Sequence, residues 1–134
     1  MSPTTRVAVA IRRGEMFFEI GEYGEALKEF QKALEVNRNS SLAHYRVAEI
    51  FFLQNNYQSA ANEFREVLNG DIEPKWTEVW SHINLGRIFD VTGQRERAVN
   101  EYNLAVRTRD NTQGAQEEAA KYMKDPYKRQ RSSL

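Results

Sequence analysis

The chain repeats its own side-chain pattern when it is shifted by 34 residues against itself. A further shift of 38 residues brings the small and aromatic residues of a third segment into the same order. The pairs matched by the first shift include Arg12 and Arg46, Glu15 and Glu49, Phe17 and Phe51, Phe18 and Phe52, Ala26 and Ala60, and Phe30 and Phe64. Periods of this size are typical of stacked supersecondary units, each of which buries its apolar face against its neighbours. Such a chain is expected to present surfaces for binding.

Each repeat contains two segments whose apolar residues are three and four positions apart, which is the spacing of an amphipathic helix. The turn between the two segments carries a residue that tolerates the left-handed conformation, namely Gly21, Asn55 or Gly93. Small residues recur at one position of the first helices, at Gly14, Ala48 and Gly86, and this predicts close contact between helices. The three helix pairs are predicted over residues 7–40, 41–74 and 79–112.

These residues resemble the tetratricopeptide repeat, whose pattern combines Leu-Gly and an aromatic residue in the first helix with small and aromatic residues in the second. The best match is Leu85-Gly86 with Phe89, followed by Ala98, Tyr102 and Ala105. The resemblance implies an all-α fold, a right-handed superhelix of antiparallel helix pairs with about seven helices. It also implies a binding scaffold rather than an enzyme, with no cofactor.

Four segments lie outside the three repeats. Residues 1–6 are expected to form an N-terminal tail, and residues 75–78 are a four-residue insertion before the third repeat. The insertion either adds one turn to the next helix, which would place Trp76 and Trp80 on one face, or forms a bulged loop. Residues 113–124 are expected to form a capping helix, and residues 125–134 a basic flexible tail.

Charge and composition exclude several classes of function. The 19 basic residues balance the 19 acidic ones, which argues against a nucleic-acid-binding protein. The chain has no cysteine and no apolar run long enough to span a bilayer, so we expect neither a disulfide framework nor a membrane protein. The amino end lacks a hydrophobic signal segment. A cytoplasmic location is therefore expected if Met1 is the natural start, but not if the chain is a fragment.

The titratable residues do not form a recognisable catalytic or metal-binding motif. His44 and His82 are equivalent in the repeat, and both are expected to pack against the preceding unit. Neither has the second histidine or carboxylate four positions away that a helical metal site needs. The glutamates, Glu63, Glu101 and Glu118 among them, are expected to lie on solvated helix faces.

The resemblance places the first helix of every repeat on a concave inner wall. The candidate partner-binding residues on this wall are Arg12, Glu15, Tyr45, Arg46, Glu49, Phe52, Trp80, Asn84 and Arg87. Aromatic and arginine side chains are enriched at interface anchors, and a guanidinium group can pair with a carboxylate of the partner. The alternative is that Arg12 pairs with Glu15 and Arg46 with Glu49, three positions away on the same helix.

The leading hypothesis is therefore a scaffold that binds a protein or peptide in this groove. The alternative is a homo-oligomeric assembly module, for example a homodimer, that uses the repeat ends or the C-terminal tail. Family members that bind the carboxyl end of cytosolic chaperones carry lysine and asparagine on the inner helices. Here the corresponding residues are Ile11, Glu15, Arg46, Trp80 and Asn84, which do not match that pattern.

Overall fold

The computed structural model describes residues 1–129, and all regular secondary structure in this part of the chain is helical. Its α-helices are α1 (Pro3–Glu19), α2 (Tyr23–Val36), α3 (Ser41–Leu53), α4 (Tyr57–Leu68), α5 (Trp76–Val91), α6 (Arg95–Arg107) and α7 (Ala115–Lys124), with a 3₁₀ turn over Thr112–Gly114. The all-α class and the helix count are confirmed. The chain divides into two compact units, Met1–Thr77 and the residues from Glu78 onward. No helix within residues 1–129 is long and apolar enough to cross a bilayer.

Two helix pairs build the first unit, and an aromatic ring fills the space within each pair. Phe30 of α2 is fully buried and lies directly against Gly14 of α1, where a Cβ atom would overlap its ring. In the next pair, Phe64 of α4 is fully buried and contacts Tyr45 of α3 edge-on at 5.5 Å. Burial of these rings is the main source of stability for each pair, since each removes a large apolar area from water.

A buried polar contact also joins α3 to α4. His44 Nδ1 lies 3.0 Å from Glu63 Oε2, and His44 Nε2 lies 2.8 Å from the Arg38 carbonyl oxygen. Burial opposes the charged imidazole, but the hydrogen bonds to Glu63 and to Arg38 outweigh it and raise the pKa of His44. As expected, His44 contacts the preceding repeat, through the Arg38 carbonyl oxygen, but its carboxylate partner lies on the second helix of its own repeat.

The second unit repeats this contact with the same spacing. His82 Nδ1 lies 3.0 Å from Glu101 Oε1, and both side chains are mostly buried. Glu63 and Glu101 are therefore partners of histidines, not solvated surface carboxylates as the sequence suggested. A single helix pattern cannot reveal this, because the partner is 19 residues away on another helix.

The segment between α4 and α5 is fixed by hydrogen bonds to the start of α3. The Ser41 N–H donates to Asp71 Oδ1 at 3.1 Å, and the Ile72 N–H donates to Ser41 Oγ at 2.9 Å. Helix α5 then begins at Trp76, so the first of the two alternatives for the insertion is correct. Most of the inserted residues form an extra helical turn.

The second unit ends in a docked segment. The Asp90 carboxylate is 1% exposed and lies 3.0 Å from Arg95 Nη1 through each of its oxygens. It also accepts hydrogen bonds from the Tyr102 hydroxyl at 2.7 Å and from the Tyr127 N–H at 2.9 Å. Burial, together with the hydrogen bond to Asp90, raises the pKa of the Tyr102 phenol.

Three boundaries differ from those expected from the sequence. Residues 3–6 are helical, not a tail, because Ser2 caps α1 by accepting the Thr5 N–H and Pro3 fits the first helical turn. The last helix begins at Ala115, after Gly114 in the left-handed conformation, and not at 113. Tyr127 is held by the hydrogen bond of its N–H to Asp90, so the flexible tail expected from 125 is wrong there. Residues 130–134 lie outside the described part.

The contact of Gly86 with Tyr102 makes a prediction. A Cβ atom on Gly86 would overlap the Tyr102 ring, so we expect Gly86→Ala to lower the free energy of unfolding by about 1–3 kcal/mol. Gly24 has open space around it, and Gly24→Ala is expected to be neutral or stabilising by up to about 1 kcal/mol. Urea unfolding of both variants measures the difference. Equal stability of the two would contradict the close approach.

Candidate protein-binding site

Arg46 of α3 is the centre of the polar site in the first unit. Its Nε donates to Glu15 Oε2 on α1 at 3.0 Å, and its Nη1 donates to Glu49 Oε1 on α3 at 2.9 Å. Helical spacing brings Arg46 and Glu49 together, whereas the contact with Glu15 depends on the packing of α1 against α3. The three side chains are 24%, 28% and 28% exposed, so the cluster borders solvent.

Aromatic rings fix the position of this guanidinium group. Arg46 lies 5.5 Å from the centre of the Trp76 ring and 5.8 Å from the Tyr45 ring. The two rings contact each other edge-on, with centres 5.0 Å apart. The two hydrogen bonds and the two ring contacts together hold the Arg46 side chain in one orientation.

Two carboxylates, those of Glu15 and Glu49, share the single guanidinium group of Arg46. Burial raises the pKa of Glu49, and the nearby Glu15 adds to this effect, while Arg46 acts in the opposite direction. The pKa of Glu49 is raised overall, because one guanidinium group does not fully compensate for burial and for the second carboxylate.

A groove borders this cluster. It has a volume of about 1050 Å³ and is lined on its apolar side by Val7, Ala8, Ile11, Val36 and Leu42. Its charged rim contains Arg12, Arg13, Glu15, Asp71 and Glu73. A smaller hollow of about 400 Å³ shares Arg12 and Glu15 and extends to Arg46 and Glu49. We refer to the larger cavity as the N-terminal groove.

The sequence-predicted residues of the first unit divide into three groups. Arg12 is exposed and makes no hydrogen bond or ion pair with residues 1–129, so it does not pair with Glu15. Arg46 forms ion pairs with both Glu15 and Glu49, and its pairing with Glu49 is the one that the alternative suggested. Tyr45 is 6% exposed and belongs to the core under the cluster. Phe52 is half-buried and contacts Tyr57 edge-on at 5.8 Å.

In the second unit, the chain's own C-terminal segment contacts the candidate residues. Arg87 donates to Asn84 Oδ1 at 2.9 Å and to Glu118 Oε2 of α7 at 3.1 Å. Its guanidinium carbon lies 5.6, 5.3 and 5.4 Å from the ring centres of Trp80, Tyr122 and Tyr127. Trp80 Nε1 donates to the Thr112 carbonyl oxygen at 3.0 Å, and Asn84 is 6% exposed.

Sequence reasoning missed Trp76, Glu118 and Tyr127 as neighbours of the candidate arginines. None of the three has a counterpart in the repeat pattern, because Trp76 lies in the insertion and the others follow the third repeat. The only available signal was the position of Trp76 four residues before Trp80. Within residues 1–129 no group of three histidine or acidic side chains is arranged to hold a metal ion.

Helix pairs joined by tight turns and packed through small and aromatic residues define an α-helical repeat protein. Residues 14–55 match the family model described as the TPR repeat. Over these residues the chain is similar to tetratricopeptide-repeat proteins. Domains of this family bind protein partners, and in general they are scaffolds without enzymatic activity, so the chain is an interaction scaffold in this broad sense.

Similar proteins agree with the family. Tetratricopeptide repeat protein 37 of Xenopus laevis is 38% identical over 55 residues, which are 41% of this chain and 4% of that protein. The Hsp70-Hsp90 organising protein of Plasmodium falciparum is 24% identical over 94 residues, which are 70% of this chain and 16% of that protein. The chain thus spans a small part of either relative.

Two crystal structures of MamA share the fold. Both are 18% identical to this chain and cover 88% of it, with TM-scores of 0.66 and 0.67. The matched regions are 74% and 69% of the MamA chains. At this identity the likeness concerns the fold alone.

The cluster around Arg46 makes a pH-dependent prediction. Arg46→Met would leave Glu15 and Glu49 without their cation, and we expect a loss of about 1–3 kcal/mol in the free energy of unfolding near neutral pH. Removing the guanidinium group raises the pKa of Glu49 further. The loss is therefore fully present above that pKa and shrinks as the pH falls through it, because the carboxylates become protonated.

The measurement is urea unfolding of wild type and variant at about pH 7 and about pH 4. Arg12→Met is the control, since Arg12 is exposed and unpaired within residues 1–129, and it should change stability by no more than about 0.5 kcal/mol. A loss in Arg46→Met that is the same at both pH values would show that the carboxylates are not the cause.

Proposed function

We propose that the N-terminal groove binds an extended or helical segment of a protein partner. The observation that supports this most directly is the groove itself, about 1050 Å³ in volume, with an apolar floor and a charged rim. Clefts of this size and composition are typical of ligand and peptide sites, in which apolar contact gives affinity and a few polar groups give orientation.

Each candidate residue of the first unit has a distinct role in the proposal. Apolar side chains of the partner pack on Ile11 and Leu42, while Arg12 offers a cation at the rim. Glu15, Arg46 and Glu49 form a fixed polar group beside the apolar floor, and the Tyr45 ring lies against Arg46. Phe52 adds an aromatic surface further along α3. A rigid polar group of this kind costs little conformational entropy on binding.

The candidate residues of the second unit have a conditional role. Trp80, Asn84 and Arg87 could contact a partner only if it replaced contacts that Glu118 and Tyr127 now make. We therefore place the primary site in the first unit. Although one relative is named as an organiser of Hsp70 and Hsp90, we do not propose a chaperone partner, because Ile11, Glu15 and Arg46 differ from the lysine and asparagine pattern of chaperone-tail binders.

Blocking the groove tests the proposal. Ala8 is exposed on α1 and lines the groove, so Ala8→Trp should fill it without entering the core. Ala120 is exposed on α7, and Ala120→Trp is the matched control. Affinity purification with quantitative mass spectrometry should find a partner that wild type and Ala120→Trp retain and Ala8→Trp loses by about tenfold, or about 1.4 kcal/mol. If no captured protein depends on Ala8, the groove is not the binding site.

Self-assembly is a second candidate, supported by a different surface. Met16, in the last turn of α1, and Ile20, the residue that caps this helix, are 62% and 71% exposed. Exposed apolar pairs of this kind are typical of interaction surfaces. The C-terminal segment supports self-assembly less well, because Tyr127 is bound by its own unit.

Sedimentation over a concentration series tests self-assembly. Wild type should show a dimer that Met16→Glu with Ile20→Lys abolishes. Leu53→Glu, at another exposed apolar residue of the first unit, should leave it intact because that residue lies on α3. A constant monomer mass for wild type at every concentration would remove this candidate.

A further inference from the structure

We infer that the partner of the N-terminal groove extends into the adjoining smaller hollow, where it presents a lysine or arginine side chain to Glu15 and Glu49, next to an apolar residue. This inference rests on the proposed function and names the chemistry of its partner. The sequence pattern suggested the opposite sign, a row of arginines that reads carboxylates. The geometry of Arg46 supports the new assignment.

Arg46 is already engaged by two carboxylates of its own chain, although three of its five N–H donors make no hydrogen bond within residues 1–129. Two of its nitrogens already donate to Glu15 and Glu49 at 3.0 and 2.9 Å. Its guanidinium group lies 5.5 Å from the centre of the Trp76 ring, which covers one side of it. A carboxylate that approached from the groove would meet the two glutamates, and repulsion between like charges opposes such contact.

The glutamates, in contrast, have unused acceptor capacity. Glu15 bonds through Oε2 and Glu49 through Oε1, and their other oxygens accept no hydrogen bond from residues 1–129. A carboxylate has about four lone-pair sites. Each side chain is 28% exposed, so a partner can reach these oxygens from the solvent side.

The charges of the cluster and of the smaller hollow also favour a positively charged partner. The central cluster holds one cation and two carboxylates. In the smaller hollow, Arg12 and Glu19 add one charge of each sign, so the excess of one negative charge remains. A second guanidinium or ammonium group would neutralise it.

The position of the apolar floor defines the rest of the partner motif. Glu15 lies one helical turn after Ile11 on α1, a separation of about 6 Å along the helix. A partner helix matches this separation with an apolar residue three or four positions from its lysine or arginine, and an extended segment matches it with a spacing of two. The inferred partner is therefore a basic, partly apolar peptide.

Two synthetic peptides test the inference. Both are fluorescein-labelled amphipathic helices of about 16 residues with the same leucine and alanine face, and they carry either lysine or glutamate on the polar face. Fluorescence anisotropy with wild-type protein should show that the lysine peptide binds about tenfold more tightly or better, equivalent to about 1.4 kcal/mol.

Variants of equal net charge separate the local effect from the overall charge. Glu15→Gln with Glu49→Gln should reduce the preference to about twofold or reverse it, because Arg46 is then released. Glu25→Gln with Glu35→Gln removes the same charge from exposed positions of α2 and should keep the preference. Circular dichroism melting confirms that both double variants are folded.

The outcomes distinguish this inference from the proposed function. If both peptides bind equally and Ala8→Trp abolishes binding, the groove is a binding site but the cation assignment is wrong. The assignment also fails if the Glu15 and Glu49 variant keeps the full preference. If neither peptide binds the wild type, both the groove and the assignment are overturned.

Discussion

The first and third helix pairs depend on close contact between a glycine and a large aromatic ring. Gly14 lies against Phe30 in the first pair and Gly86 against Tyr102 in the third, without room for a Cβ atom at either glycine. The two rings are fully buried. This contact sets how closely the first and second helices approach, and the polar side chains that bridge a pair must fit the same separation. The contacts of His44 with Glu63 and of His82 with Glu101, which bridge the second and third pairs, have the same length of 3.0 Å.

Arg46 of the first unit and Arg87 of the second unit have different roles. In the first unit, Arg46 ties α1 to α3 through Glu15 and leaves a groove with an excess of carboxylate beside it. In the second unit, Arg87 ties α5 to α7 through Glu118 and lies among three aromatic rings. The first arrangement leaves surface for a partner, whereas the second is completed by the chain itself.

Buried charge explains why the segment after α7 contacts the second unit at Tyr127. Asp90 is 1% exposed, and an isolated carboxylate at that depth would be very costly. Arg95 and Tyr102 supply the cation and one donor, and the Tyr127 N–H supplies another. Arg95 also donates to the Met123 carbonyl oxygen at 2.8 Å. The network therefore holds the end of α7 and the residues after it together.

The sequence by itself determined the fold class and the helix pairs, because these follow from short-range periodicity, whereas the interaction scaffold was implied by the resemblance to a repeat family. Apolar spacing, the recurrent small residues and the turn residues Gly21, Asn55 and Gly93 all repeat along the chain. They also placed Arg46 beside Glu49, since three positions on one helix fix that pairing. Helix starts were less well determined at Ser2 and Gly114, where capping decides the boundary.

Only the tertiary structure decided the partners of the charged side chains. Glu15 and Arg46 are 31 residues apart, as are Arg87 and Glu118, and Tyr127 reaches Asp90 across 37 residues. Such contacts depend on how helices pack and on where a terminal segment turns, and no periodic pattern encodes either. Electrostatic interaction is decided by distance in space, so the sign of the groove could be established only after folding had brought two carboxylates to one arginine.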